Sequence, residues 1–432
     1  MPNAILCVTG SELTRGETKD LNGPFLATTL SELGVRIDAV HLLPDDRKVL
    51  EVELSRSIEL ADVVIVSGGL GPTADDLTVE VLARVLGRKI VRDPRAVDRM
   101  RARALARGHR EEEIPANFFK QAEVLEGVEV LLNPVGLAPG MVIPTRRGLV
   151  AVLPGVPREM QPMFRDLVVP AIRGKLTLDP PRILRVKVMG QGESWAEARV
   201  QKLGIDFGRV EYGISAKPGE LLLKFIAHEG SDHAYIDLVR ARLEAEFERD
   251  LILLEEGLTG KSGAPIEVEH SAIVHRLLLT AGATVATAES CTGGMVAKSL
   301  TDHAGSSAYF LGSVVAYSNA VKERVLGVPG SFIEAYGAVS REVAEAMAAA
   351  ARDIFGARFG IGITGIAGPG GGTPEKPVGL VHLSIASRDP ATGALAVEAE
   401  RHNFAGPRDM VRTLAAVRAL DLLRRRVSPE PI

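Results

Sequence analysis

Apolar and polar positions along the chain alternate between short buried runs and amphipathic stretches. Ala4–Thr9 is an apolar run that stops at Gly10, as a buried strand does. Asn22–Leu33 reads as a helix stopped by Gly34, Val35–Leu43 as a strand, and Val49–Glu59 as a helix. Ala61–Val66 is a strong buried strand broken by Gly68-Gly69, and Asp76–Leu86 is a helix ended by Gly87. Leu149–Leu153 (strand) and Pro157–Leu167 (helix) close this region near Val169-Pro170. Strands alternating with helices predict a parallel α/β sheet with helices on both faces.

The pattern then changes. Ile183–Met189 alternates as a strand, Ser194–Leu203 is helical, and Arg209–Ser215 with Glu220–Ala227 form a hairpin around Lys217-Pro218-Gly219. Asp232–Asp250 is a long charged helix, so β-α-β-β-α describes a small α+β module. After the Gly-rich stretch Gly257–Pro265 an α/β pattern restarts: helix Ile266–Ala281, a β-like run into Glu289, helix from Met295, strand Ala308–Tyr317. Helix Ser340–Phe355, strand Phe359–Ile363, strand Val378–Ser387 and helix Arg408–Arg425 complete it. The fold class expected is α/β: two α/β domains, 1–172 and 261–432, joined by an α+β module over 173–260.

Composition adds exclusions. A chain of 432 residues with 46% hydrophobic and 25% charged residues is an ordinary globular mix. The net charge of −4 argues against a nucleic-acid partner, and Arg99–Arg110 reads as a solvated helix face. Cys7 and Cys291, the only cysteines, make no disulfide framework or zinc cluster and point to a reducing compartment. The chain has no basic, apolar leader and no apolar run of the ~20 residues a membrane span needs, so a cytoplasmic protein with no membrane partner is expected.

Chemistry concentrates where strands end. Thr284–Ala297 runs strand, tight turn, helix, with Ser290, Cys291 and Thr292 as candidate nucleophiles in the turn. Such a turn holds a nucleophile at the sheet edge and aims N–H groups at a developing oxyanion. Lys322 follows the next strand. Because parallel strands end on one edge, it can reach Ser290, and it acts as a base only if its amine is kept neutral. The loop Thr364–Thr373 carries five glycines that let backbone N–H groups approach a ligand, with Lys376 and Arg408 as cations for a phosphate. In the first domain Gly68, Gly69, Gly71 and Thr73 precede a helix in the same manner. Asp75 and Asp76 could hold a divalent metal, or could cap that helix together with Thr73.

Glu289-Ser290-Cys291-Thr292-Gly293-Gly294, the Tyr317…Asn319…Lys322 segment, Gly362–Pro369 and Pro377-Val378-Gly379 together resemble the CinA C-terminal domain. That resemblance implies a hydrolase that converts nicotinamide mononucleotide (NMN) to nicotinic acid mononucleotide and ammonia without a cofactor. It implies a Ser290/Lys322 dyad with Tyr317 orienting the lysine or covering the ring. Backbone N–H groups at Thr292, Gly293 and Gly294 would bind the oxyanion, and Asn319, Thr364, Gly365, Ala367, Gly368 and Arg408 the substrate.

The first-domain loop, with Thr9–Leu13, Asn133–Gly140 and Leu153–Met160, resembles the MoaB/MogA-like molybdopterin-binding fold at the CinA N-terminus. It implies a nucleotide site, a metal-dependent ADP-ribose pyrophosphatase, and Glu12, Asp75 and Asp76 as metal residues for magnesium or a similar ion. The family's Gly-Asp-Glu-Leu is Gly10-Ser11-Glu12-Leu13 here, which leaves binding of a nucleotide or pterin-like ligand without turnover as the alternative. The middle module resembles a KH-like domain but has no Gly-x-x-Gly clamp, so a spacer or dimerisation role is expected over RNA binding. A homodimer is implied by the resemblance alone.

Overall fold

The computed structural model describes residues 1–228, 230–254, 269–388 and 393–428. The stretch 257–265, the boundary at 260/261 and the start of the helix expected from Ile266 lie outside the described residues. Two compact units emerge, one built on 1–182 with the short stretch 227–233, the other on 183–226 and the described chain from 234 onward.

The strands of the first unit are β1 (Asn3–Thr9), β2 (Arg36–Leu43), β3 (Val63–Ser67), β4 (Ile90–Arg92), β5 (Glu123–Leu125), β6 (Glu129–Leu131), β7 (Gly140–Pro144) and β8 (Leu149–Leu153). The main sheet has the order β2-β1-β3-β8-β7-β6, while β4 and β5 pair separately. Alternate residues of β3 enter opposite cores. Val63 and Ile65 pack with Phe25, Leu30 and Phe164 on one face, Val64 and Val66 with Leu50, Leu54, Val81 and Leu82 on the other. Strands β1, β2, β3 and β8 are parallel, as the pattern predicts, but β7 pairs antiparallel with β8, and β6 antiparallel with β7. For β7 and β8 the reason is local: Thr145 N–H donates to Gly148 O (3.0 Å), closing a turn too short for a crossover helix.

Two boundaries differ from the pattern. The helix expected from Asp76 begins at Thr78, because Asp76 turns back on Thr73 in the preceding loop. The helix starting at Pro157 does not end near Pro170. A π-helical turn over Phe164–Val168 lies just ahead of that proline, and the chain stays helical to Lys175.

In the second unit, β9 (Arg182–Met189), β10 (Glu211–Lys217), β11 (Glu220–Ala227) and β12 (Leu251–Leu254) form a sheet of order β10-β11-β9-β12. The expected hairpin is there, with Lys217 opposite Glu220 across Pro218-Gly219. The closing strand β12 is additional: four apolar residues carry no periodicity that separates strand from helix.

The rest of this unit holds β13 (Val285–Glu289), β14 (Phe310–Val315), β15 (Phe359–Gly365), β16 (Leu380–Arg388) and β17 (Leu395–Asn403), in the order β14-β13-β15-β16-β17. Parallel pairing sets Glu289 opposite Val315 and opposite Ile363, so the C-terminal ends of β14, β13 and β15 lie level. Strand β16 pairs antiparallel with β15, and β17, which the pattern does not predict, pairs antiparallel with β16. The helix Arg341–Phe355 sits directly on β15: a Cβ on Gly360 or Gly362 would lie 2.1 Å from Ala348 O or Ala344 O. The helix Arg408–Val427 ties the small module to this sheet. Its Asp421 is fully buried among Arg418, Arg424 and Arg425, and Arg425 also pairs with Asp250 at 2.8 Å.

Candidate functional site

In both sheets the chain leaves a central strand toward opposite sides, β1 between β2 and β3, β13 between β14 and β15. Such a switch point opens a crevice at the C-terminal strand ends, where α/β proteins bind ligands.

At the end of β13 stands Ser290, 8% exposed, and Lys322 is 2% exposed on the short helix after β14. Lys322 Nζ lies 3.2 Å from Ser290 Oγ and 2.9 Å from Ala316 O. No carboxylate pairs with this amine among the described residues. Burial pushes its pKa below the ordinary lysine value, with Cys291 opposing weakly. A neutral amine at this distance accepts the hydroxyl proton, which is what a serine nucleophile needs. Burial pushes the neighbouring Cys291 thiol up to about 11, so this cysteine is protonated at neutral pH and a poor nucleophile.

A cavity of about 200 Å³ opens on the pair. Ser290, Cys291, Tyr317, Asn319, Thr364, Gly365, Ala367 and Arg408 line it, together with Ala338 and Val339. Arg408 donates to Gly368 O and to the Tyr317 hydroxyl, both at 2.7 Å. Tyr317 is 61% exposed and is bonded to Arg408, not to Lys322, so it braces the rim instead of orienting the amine. Gly368 touches the site only through Arg408. Lys376 is not a free cation: its amine donates to Tyr336 O and Val339 O and holds the strap that forms one wall.

Two of the three N–H groups expected to bind an oxyanion, those of Gly293 and Gly294, are engaged within the turn. Gly294 donates to Glu289 Oε2 (3.0 Å) and Gly293 to Ser290 O (3.1 Å), and Thr292, Gly293 and Gly294 are absent from the cavity wall. Gly293 and Gly294, both with positive φ, shape the turn. Sequence reading also missed Arg412, whose guanidinium donates to Cys291 O (3.1 Å) and Thr292 O (2.9 Å). The available signal was its spacing: one helical turn after Arg408, on the same face.

The first unit carries a larger cavity, about 770 Å³, at the ends of β1 and β3. Gly68, Gly69, Gly71, Glu12, Asp75 and Asp76 line it, and Thr73 does not. Arg103 and Arg107 of the supposedly solvated arginine stretch face it as well. At its floor Asn22 Nδ2 donates to Gly155 O (2.7 Å) and Ser67 Oγ (2.9 Å), which fixes the amide orientation. Its Oδ1 and Thr9 Oγ1 are buried without partners. Ser11, standing where an acid was expected, is engaged with Asp45: its N–H donates to Asp45 Oδ2 (2.7 Å), and Asp45 N–H to its Oγ (3.0 Å). Asp76 Oδ2 accepts from Thr73 N–H (2.9 Å) and Oγ1 (2.5 Å). No group of three His, Cys, Asp or Glu side chains able to hold a metal ion occurs among the described residues.

Comparison with known proteins matches the two α/β regions to two domain families. Residues 267–427 match the model of the CinA C-terminal domain, and residues 5–174 that of a probable molybdopterin binding domain. A CinA-like protein of Syntrophomonas wolfei is 39% identical over 98% of this chain and 99% of its own. The chain belongs to the CinA-like family. Another CinA-like protein, from Anaeromyxobacter dehalogenans, is 41% identical over 97% of this chain and 98% of its own. Among solved structures, competence/damage inducible protein CihA from Agrobacterium tumefaciens is 39% identical and covers 36% of this CinA-like chain and 92% of its own, with a TM-score of 0.34. No helix among the described residues is long and apolar enough to cross a membrane.

Proposed function

We propose that this CinA-like chain is an amidohydrolase that converts NMN and water to nicotinic acid mononucleotide and ammonia. The observation that carries the reading is the 3.2 Å contact between the buried Lys322 amine and Ser290 Oγ at the end of β13. In the proposed reaction the neutral amine takes the Ser290 proton while Oγ attacks the carboxamide carbon. The protonated lysine then passes that proton to the departing nitrogen, releasing ammonia and leaving an acyl ester on Ser290. Water, deprotonated by the same amine, hydrolyses the ester. Arg408, exposed on the rim, is the cation for the substrate phosphate. The cavity falls below the roughly 300 Å³ at which ligand pockets usually start, so in this reading it takes the pyridine ring and amide and leaves the ribose phosphate at the rim.

Ammonia release from NMN tests this directly. Ser290→Ala is expected to abolish it. Full activity in that variant removes Ser290 from the mechanism and makes Cys291→Ala the next comparison.

A second reading concerns the first unit. The roughly 770 Å³ cavity, its glycine loop and the unpaired acceptors on Thr9 and Asn22 favour binding of a nucleotide there. The side chains do not form a ready metal site: Asp76 is held by Thr73, and a divalent ion would have to gather Glu12 and Asp75 itself. Binding without turnover is the form of this reading that we adopt. Phosphate-bond hydrolysis of ADP-ribose on addition of magnesium would overturn it.

A further inference from the structure

The turn that carries Ser290 is gripped from two sides by charged side chains outside the dyad. From within, Glu289 ends β13 with its carboxylate fully buried. Oε2 accepts from the N–H groups of Gly294 (3.0 Å) and Val296 (3.2 Å), and Oε1 from Ala297 N–H (2.8 Å) and the Thr287 hydroxyl (3.3 Å). No cationic side chain pairs with it among the described residues. On the other side Arg412 takes the carbonyls of Cys291 and Thr292. The acid therefore binds the N–H groups of the turn and the base binds its carbonyls, with Gly293 and Gly294 at φ 63 and 93 between them.

Burying a carboxylate without a counter-ion costs several kcal/mol unless fixed dipoles replace the lost water. Capping a short helix does not require that outlay, since one serine or aspartate suffices. What Glu289 adds is span. It departs from the residue before Ser290 and returns to residues four to seven positions beyond that serine, closing a ring across the turn. Arg412 anchors the outer edge of that ring to the helix Arg408–Val427.

We infer that Glu289 and Arg412 are positioning residues that keep Ser290 Oγ within reach of Lys322. The inference rests on the Ser290/Lys322 reading above. Neither side chain lines the cavity at Ser290, so both act through the serine. A misplacement of about 1 Å in a reacting group is worth on the order of 100-fold in rate. The carboxylate thereby engages the N–H groups of Gly294, Val296 and Ala297.

The test uses the full chain with Glu289→Gln, Arg412→Met and Arg412→Lys. Positioning predicts a kcat on NMN lowered roughly 100-fold in the Gln and Met variants with KM within about threefold, and partial recovery in the Lys variant, which can still reach one carbonyl. Native-state hydrogen exchange is followed at the same time. The amides of Gly294, Val296 and Ala297 are expected to exchange at least about tenfold faster in Glu289→Gln. A kcat per folded molecule equal to wild type in both Glu289→Gln and Arg412→Met, or unchanged exchange across the turn, overturns the inference. Failure of the wild-type chain to release ammonia from NMN overturns the substrate reading instead. The exchange measurement then decides the clamp without reference to turnover. Arg412→Met keeps the proposal falsifiable if Glu289→Gln does not fold.

Discussion

Replacing Lys322 with methionine separates the chemical role of the amine from its cost to the fold. Methionine fills nearly the same volume, so the packing around the side chain survives while the amine and its bonds to Ser290 and Ala316 O are lost. Removing a general base is worth about 10²–10⁴ in kcat, or roughly 3–5.5 kcal/mol of transition-state stabilisation. Stability moves the other way. In the fold the lysine pKa is lowered by burial, whereas in the unfolded chain it returns to its ordinary value of 10.5. The unfolded state therefore binds the proton more tightly, and wild-type stability is reduced by a penalty that is full below the depressed folded pKa. The penalty shrinks as pH rises and is gone above 10.5. Within that window wild-type stability gains at most about 1.4 kcal/mol per pH unit. Against this, one carbonyl loses its partner at about 1–3 kcal/mol, independent of pH. Urea melts of both proteins from pH 7 to pH 10.5 give the difference directly. The methionine variant is expected to gain stability relative to wild type toward low pH and to lose that advantage steadily on the way up. A stability difference flat across this range, or a variant kcat within about threefold of wild type, would refute the claim that a buried neutral amine serves Ser290.

Further outcomes follow from the same geometry. Cys291→Ala is expected to keep activity within a few-fold, and the wild-type thiol to resist disulfide reagents at pH 7, because burial raises its pKa to about 11; rapid labelling with loss of activity would contradict this. Gly365→Ala would bring a methyl within 2.8 Å of Leu380 O and 3.0 Å of Cys291 Sγ, and a destabilisation of about 1–3 kcal/mol is expected in denaturant melts. Arg408→Lys loses the two-armed bridge from Gly368 O to Tyr317 and is expected to raise KM for NMN about tenfold with kcat little changed, which steady-state kinetics would read. Asn22→Ala removes the bonds to Ser67 and Gly155 and is expected to cost about 2–4 kcal/mol in thermal melts.

Local signals carried much of this architecture. Apolar runs located β1, β3, β8, β13 and β15 to within two residues, because burial on both faces and a following turn leave a plain mark. The placement of Ser290 and Lys322 at adjacent strand ends was also legible, since it needs only parallel pairing of β13 and β14. Strand direction was not: β7, β6, β16 and β17 carry no residue pattern that distinguishes antiparallel from parallel partners. Competition for the same donors was equally hidden. Glu289 reads as a polar residue before a turn, and only the folded chain shows that it reaches the N–H groups otherwise available to an oxyanion. The commitments of Lys376 to Tyr336 and Val339, and of Asp76 to Thr73, are likewise choices among partners that a linear reading leaves equal. The arginine stretch divides for a similar reason: helical periodicity turns Arg103 and Arg107 toward a cavity whose existence depends on distant loops.

The seam between Arg341–Phe355 and β15 bears on how this protein can change. With Gly360 and Gly362 pressed against carbonyls of that helix, helix and strand cannot slide or spread even by the width of one methyl group. The strand that delivers Thr364 and Gly365 is thus a fixed wall, and the cavity is reshaped more readily from its rim at Tyr317, Asn319 and Arg408. Libraries randomised at 360 and 362 should yield almost no folded members, whereas diversity at 317, 319 and 408 should redistribute which amides are accepted while leaving the scaffold intact.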